Sequence, residues 1–240
     1  MRNNPDLFGK SSTPIEDSSN NSLTWSGLPI IYDEVFTGLY RLGRVSCSSF
    51  LNAYPDISVH AKLLTGGLVP LSVTLASESI FKAFLSDKKE DALLHGHSYT
   101  AHPVGCQVAL ESLKTFEELD KSSWQLFKNQ WSKESSSTIS SKVWSVWSPK
   151  FIEKLSYVPL VENAYGLGSV LAISLKDTTS GYASNATLDL QKHLSELEPE
   201  GWNVNTRGLG NVIYLMASQT ITKETVEKLE AKISNFFSEN

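Results

Sequence analysis

A short apolar run, Leu28-Pro29-Ile30-Ile31-Tyr32, stops abruptly at an acidic pair, Asp33-Glu34. A run of this length with β-branched residues predicts a strand buried on both faces, the kind that parallel sheets use beneath covering helices. Polar residues just beyond the carboxyl end of such a strand are where α/β proteins build their sites. A second short strand is predicted over Asp56 to His60. Lys62 follows it directly, ahead of the glycine turn Thr65-Gly66-Gly67. Neighbouring strands of one sheet would therefore deliver Asp33 and Lys62 to the same end.

The rest of the chain supports this class. Ser77 is placed to cap a helix through Phe84, and Pro103 to open another that extends to about Leu119. Val104, Val108, Leu110, Leu113 and Phe116 give that second helix an apolar face at helical spacing. A further helix is expected from Asp120 to Lys133. Beyond it, Gly168 to Leu175 and Val212 to Met216 read as strands, with helices over Thr187 to Leu197 and Lys223 to Phe237. The expected organisation is a leader over residues 1–27, an α/β portion over 28–148 and a small α+β domain over 149–240. The leader is assigned as disordered or unrelated to the fold because Ser, Asn, Asp and Pro dominate it.

Composition excludes several classes of function. A net charge of -5 leaves no basic surplus with which to neutralise nucleic-acid phosphates. No apolar run approaches the roughly 20 residues that span a bilayer. The first residues, MRNNPDLFGKSS, have neither the apolar stretch of a secretory signal nor the basic character of a transit peptide. The compartment stays open between mitochondrion and cytoplasm. Cys47 and Cys106 are too few for a disulfide framework. His95, His97 and His102 are close in sequence, but their spacing matches no zinc pattern, so no metal is expected.

The chemistry lies in the combination. A carboxylate at a strand end can pair with a protonated ring nitrogen, and a lysine beside it can condense with an aldehyde on the same ring. The loop His95-Gly96-His97-Ser98-Tyr99 opens a helix, where free N–H groups and the helix dipole favour a phosphate. Ring nitrogen, aldehyde and phosphate are the three attachments that pyridoxal 5'-phosphate requires.

Three motifs then carry a resemblance. Ile31-Tyr32-Asp33-Glu34-Val35-Phe36-Thr37-Gly38 with Arg41-Leu42-Gly43, and Lys62-Leu63-Leu64-Thr65-Gly66-Gly67 with Pro70-Leu71, resemble the aspartate and lysine segments of the class III (ornithine-type) aminotransferases. His95 to Tyr99, with Ala101-His102-Pro103 and Cys106, is similar to that family's loop toward the phosphate of the other subunit's cofactor. The resemblance implies the C-terminal portion of a fold-type I large domain followed by a small α+β domain, in a homodimer. It makes Lys62 the catalytic and cofactor-attaching residue, Asp33 the partner of the ring nitrogen and Ser98 a phosphate contact.

Within the family, the wording of the histidine loop and of Arg207-Gly208-Leu209-Gly210 is similar to the branch acting in biotin synthesis. That implies Arg207 as the holder of the substrate carboxylate, 7-keto-8-aminopelargonate as acceptor and S-adenosylmethionine as donor. Glu34 and Arg41 are expected to be structural. Residues 1–27 resemble none of the family's upstream segments, so the chain is expected to be a portion that is inactive by itself. An ornithine or ω-amino acid aminotransferase, and a non-catalytic remnant of the family, remain as alternatives.

Overall fold

The computed structural model describes residues 15–16, 23–24, 28–134, 143–179 and 181–239. Most of the expected leader lies outside them. Within it, Ile15–Glu16 (β1) pairs antiparallel with Leu23–Thr24 (β2). The chain forms two compact units, residues 1–40 with 44–116, and residues 41–43 with 117–240.

The first unit is built on a three-stranded sheet of Ile31–Asp33 (β3), Ile57–His60 (β4) and Val73–Ala76 (β5), in that order. β3 and β4 run parallel, with Asp33 opposite Val59, and β5 returns antiparallel to β4. The second strand read from the sequence holds to within a residue, whereas the first starts three residues later than its apolar run and is not buried as expected. Ile31 is 60% and Leu28 90% exposed. Among the described residues β3 is paired along one edge only, so its apolar side chains gain little cover.

A one-turn helix, Ser48–Leu51 (α1), follows β3. Ser77 caps Glu78–Ala83 (α2) by accepting the Ile80 N–H, as the sequence predicts. Pro103–Lys121 (α3) begins at its proline. Its buried stripe is Gly105, Ala109 and Phe116, whereas Val104 and Leu110 face out. The helix packs over Leu71 there: a Cβ on Gly105 would meet Leu71 Cδ1 at 3.5 Å, an ordinary van der Waals contact.

The second unit holds the larger core. Val161–Leu167 (β6), Val170–Leu175 (β7), Arg207–Leu209 (β8) and Val212–Met216 (β9) form an antiparallel sheet in the order β6-β7-β9-β8. Val170 to Ile173 and Leu175 of β7 are all buried, which marks it as covered on both faces. Around the sheet lie Trp124–Glu134 (α4), Pro149–Ser156 (α5), Leu188–Ser195 (α6) and Lys223–Glu239 (α7). They contribute Trp124, Phe127, Phe151, Leu155, Leu190, Leu194, Val226 and Ile233 to the core. A fully buried aliphatic side chain of this kind stabilises by about 1.5–3 kcal/mol.

Because α4 and the strand-like segment after it belong to this core, the expected boundary at 148/149 falls inside the second unit. Indole donors bind the unit together. Trp124 Nε1 donates to Gln219 O and Trp144 Nε1 to Gly43 O, each at 2.9 Å, and Trp131 Nε1 donates to Ser145 O, also at 2.9 Å. Trp124 and Trp144 are buried and Trp131 is half-buried, and each satisfies its one N–H.

Candidate active site

The parallel pairing of β3 and β4 sets the first part of the site. Its final ladder bond runs from Glu34 N–H to Val59 O at 2.9 Å, and beyond it the two chains part. One turns through Asp33–Gly38, closed by Gly38 N–H donating to Glu34 O at 3.0 Å. The other passes through His60 and Ala61 into a 3-10 turn over Lys62–Leu64. Asp33 and Lys62 are therefore brought to the carboxyl ends of adjacent parallel strands, where both are exposed. One Asp33 oxygen accepts the Val35 N–H at 3.1 Å. The Lys62 Nζ lies 5.5 Å from the centroid of the Phe36 ring, a cation–π separation.

Lys62 has φ +48, a left-handed conformation that costs a non-glycine residue energy and persists where the surroundings impose it. The glycines behind it continue the irregular path. Gly66 and Gly67 have φ +61 and +84, and an added Cβ at either would meet nothing within 4 Å, so backbone conformation, not space, demands glycine there. Buried Thr65 ties the far side of the turn by donating to Val69 O at 2.6 Å.

Glu34, beside Asp33 in sequence, points the other way and is buried. Its carboxylate accepts Ser46 Oγ at 2.5 Å and Cys47 N–H at 2.9 Å, and so anchors the segment leading into α1. Burial pushes the Cys47 thiol above its ordinary value, with the Glu34 charge adding to the effect. The structural role expected of Glu34 has this bonding behind it.

Ser98 lies in an exposed turn just ahead of α3. The turn is organised by His97, whose N–H donates to Thr100 Oγ1 at 2.8 Å and whose Nδ1 accepts the Tyr99 N–H at 3.1 Å. His102 Nδ1 accepts the Gly105 N–H at 3.0 Å and so caps the helix. Among the described residues no cluster of three or more His, Cys, Asp or Glu could hold a metal ion.

Arg207 belongs to the second unit, on β8 opposite Tyr214, and is exposed. Gly208 beside it permits close packing: a Cβ there would lie 2.6 Å from Thr187 Oγ1 and 2.9 Å from Gln191 Oε1. The two-residue connection to β9 is Gly210-Asn211, with Gly210 at φ +62, the glycine-first pattern of a tight hairpin. The structure thus joins Asp33, Lys62 and Ser98 in one unit and carries Arg207 on the other.

His60 carries no motif in the sequence. It is buried two residues before Lys62, and the signal available was alternation along β4, which turns Ser58 and His60 to one face.

The profile of the family described as aminotransferase class III matches residues 25–237. Over 232 residues the chain is 54% identical to a bifunctional dethiobiotin synthetase/adenosylmethionine-8-amino-7-oxononanoate aminotransferase of Emericella nidulans, covering 96% of this chain and 29% of that protein. That alignment reaches into residues 1–27. A bifunctional dethiobiotin synthetase/7,8-diamino-pelargonic acid aminotransferase of Oryza sativa subsp. japonica, named as mitochondrial, is 42% identical over 213 residues, which are 86% of this chain and 24% of the relative.

Among solved structures, an adenosylmethionine-8-amino-7-oxononanoate aminotransferase from Methanocaldococcus jannaschii superposes with a TM-score of 0.67 at 29% identity, over 87% of this chain and 45% of that one. An aminotransferase of Bacillus anthracis superposes with a TM-score of 0.68 at 20% identity, over 88% and 45%, a likeness of fold. The chain spans under a third of the length of these curated relatives and under half of these solved chains.

Proposed function

The chain belongs to the class III aminotransferase family, and from that premise we propose that it carries the lysine and aspartate attachments of a transaminase of biotin synthesis. The reaction is transfer of an amino group to 7-keto-8-aminopelargonate, giving 7,8-diaminopelargonate, with S-adenosylmethionine as donor. The observation that carries the reading is the delivery of an exposed amine and an exposed carboxylate to the ends of two adjacent parallel strands, at Lys62 and Asp33. The 54% identity to the Emericella nidulans aminotransferase supports the choice of substrate.

Aminotransferases of this class are pyridoxal-phosphate-dependent as a family, and the donor set here fits that group. When bound, the cofactor supplies an aldehyde that captures amines and a ring that takes up electrons. Lys62 Nζ would be the amine that holds it and, when free, the base that carries a proton on the bound substrate. The Asp33 carboxylate accepts the ring N–H and keeps the proton there by opposite charge. The Ser98 hydroxyl donates to the phosphate held by a second copy of the chain in a homodimer. The Arg207 guanidinium receives the acceptor's carboxylate as a fork of two N–H donors, a geometry lysine does not reproduce.

The test is an assay of the purified chain with pyridoxal phosphate, S-adenosylmethionine and 7-keto-8-aminopelargonate, beside Lys62→Ala, with the diamine measured by mass spectrometry. Diamine formation that Lys62→Ala abolishes bears the reading out. Transfer confined to ornithine or ω-amino acids moves the chain to another branch of the family. Cofactor held without turnover means that transfer needs segments beyond these 240 residues.

A further inference from the structure

His60 ends β4, and its ring is buried. The Ser58 hydroxyl, buried on the same face, meets Nε2 at 3.2 Å. The other ring nitrogen, Nδ1, is buried with no hydrogen-bond partner among the described residues. It faces the turn that follows Asp33, so closely that a Cβ built on Gly38 would lie 2.7 Å away. An unsatisfied buried nitrogen costs on the order of 1–3 kcal/mol, a penalty that an aliphatic side chain of similar size would avoid. Stability alone gives no reason for an imidazole here.

Its placement gives one. Among the described residues, no ladder bond beyond that of Glu34 to Val59 holds the Asp33–Gly38 turn against the start of the Lys62 turn. The His60 ring abuts the first at Gly38 and sits two residues before Lys62 on the second. The same Asp33–Gly38 turn presents Phe36 to the Lys62 amine. Lys62 itself is held at φ +48, which requires a backbone fixed from outside.

We propose that His60 is a positioning residue: clamped by Ser58, its flat ring spaces the Asp33–Gly38 turn from the Lys62 turn and so fixes the carboxylate and the amine for the cofactor. This rests on the reading of Asp33 and Lys62 given above. Burial pushes the His60 imidazole below its ordinary value, against the opposing pull of the Glu34 charge, so the spacer is neutral near pH 7.

The test compares the full chain with His60→Leu, which fills the space without a polar clamp, and with Ser58→Ala, which keeps the ring and frees it. The first readout is amide exchange at Gly38 and Leu64, whose N–H groups bond Glu34 O and Ala61 O. Exchange at both is expected to rise in both variants while that of β7 stays unchanged, which excludes global unfolding. The second is the rate at which pyridoxal phosphate becomes fixed to Lys62 by borohydride, expected to fall about tenfold, the scale of a sub-ångström misplacement. A wild-type chain that labels, with variants labelling at the same rate, overturns the role of His60 alone. Unchanged exchange at Gly38 and Leu64 overturns it too. A wild-type chain that does not label overturns the cofactor reading and this role with it.

Discussion

Glu230 closes on Ser148 from 82 residues further along the chain, accepting its N–H at 2.6 Å and its hydroxyl at 2.9 Å with separate carboxylate oxygens. Ser148 in turn accepts the Phe151 N–H at 3.2 Å and caps α5. Burial pushes the Glu230 carboxyl above its ordinary value, and the Ser148 bonds only partly offset this. A carboxyl whose folded value is raised binds more protons folded than unfolded between the two values, so stability falls as pH rises through that window. Urea melts of wild type and Glu230→Gln from pH 4 to 7 should therefore show glutamine gaining on glutamate as pH increases. Wild type gaining on the variant would contradict the assignment. Ser148→Ala is expected to cost about 1 kcal/mol or somewhat more at neutral pH, as for other lost N-caps.

Gly168 makes the tightest glycine contact among the described residues. Its φ is +56, and a Cβ there would lie 2.2 Å from Gly43 N and 2.4 Å from Arg41 O, both backbone atoms with no room to yield. Gly168→Ala should destabilise the second unit by on the order of 3 kcal/mol, combining left-handed strain with overpacking. A denaturation midpoint within experimental error of wild type would show that the 41–43 segment is not held where the structure places it.

Lys232 is 4% exposed, an unusual depth for an ammonium. Its Nζ donates to Glu196 O and pairs with Glu198, each at 2.6 Å, and lies 5.3 Å over the Trp202 ring. Removing one partner of a buried pair leaves the other charge poorly compensated. Glu198→Ala is expected to cost roughly 2–3 kcal/mol, less than for a fully buried pair because Glu198 keeps some contact with water. Chemical denaturation measures it, and a loss below about 0.5 kcal/mol would place the pair with ordinary surface bridges.

How legible this was depended on whether the physics was local. Pro103, Ser77 and the short apolar run Val212 to Met216 marked elements that the structure contains, because caps and apolar runs act within a few residues. Strand β6, Val-Glu-Asn-Ala-Tyr-Gly-Leu, was invisible to pattern: it is an edge strand with polar residues facing out, and only its pairing with β7 defines it. The Gly210-Asn211 hairpin carried a readable turn signal, yet β8 is three residues long and has no periodicity to reinforce it. The expected boundary near residue 149 lies inside the second unit, where Trp124 donates to Gln219 O from 95 residues away, a contact that local reasoning does not bridge. In the candidate site, Asp33 and Lys62 stood out by chemistry and position, whereas the contact between His60 and Gly38 is tertiary.

The central claim is that Lys62 is the amine that holds the cofactor, and borohydride reduction of the purified chain with pyridoxal phosphate tests it most directly. A stable label is expected on the peptide that contains Lys62, absent from Lys62→Ala. A folded chain that takes up no label, or one whose label survives Lys62→Ala, would contradict it.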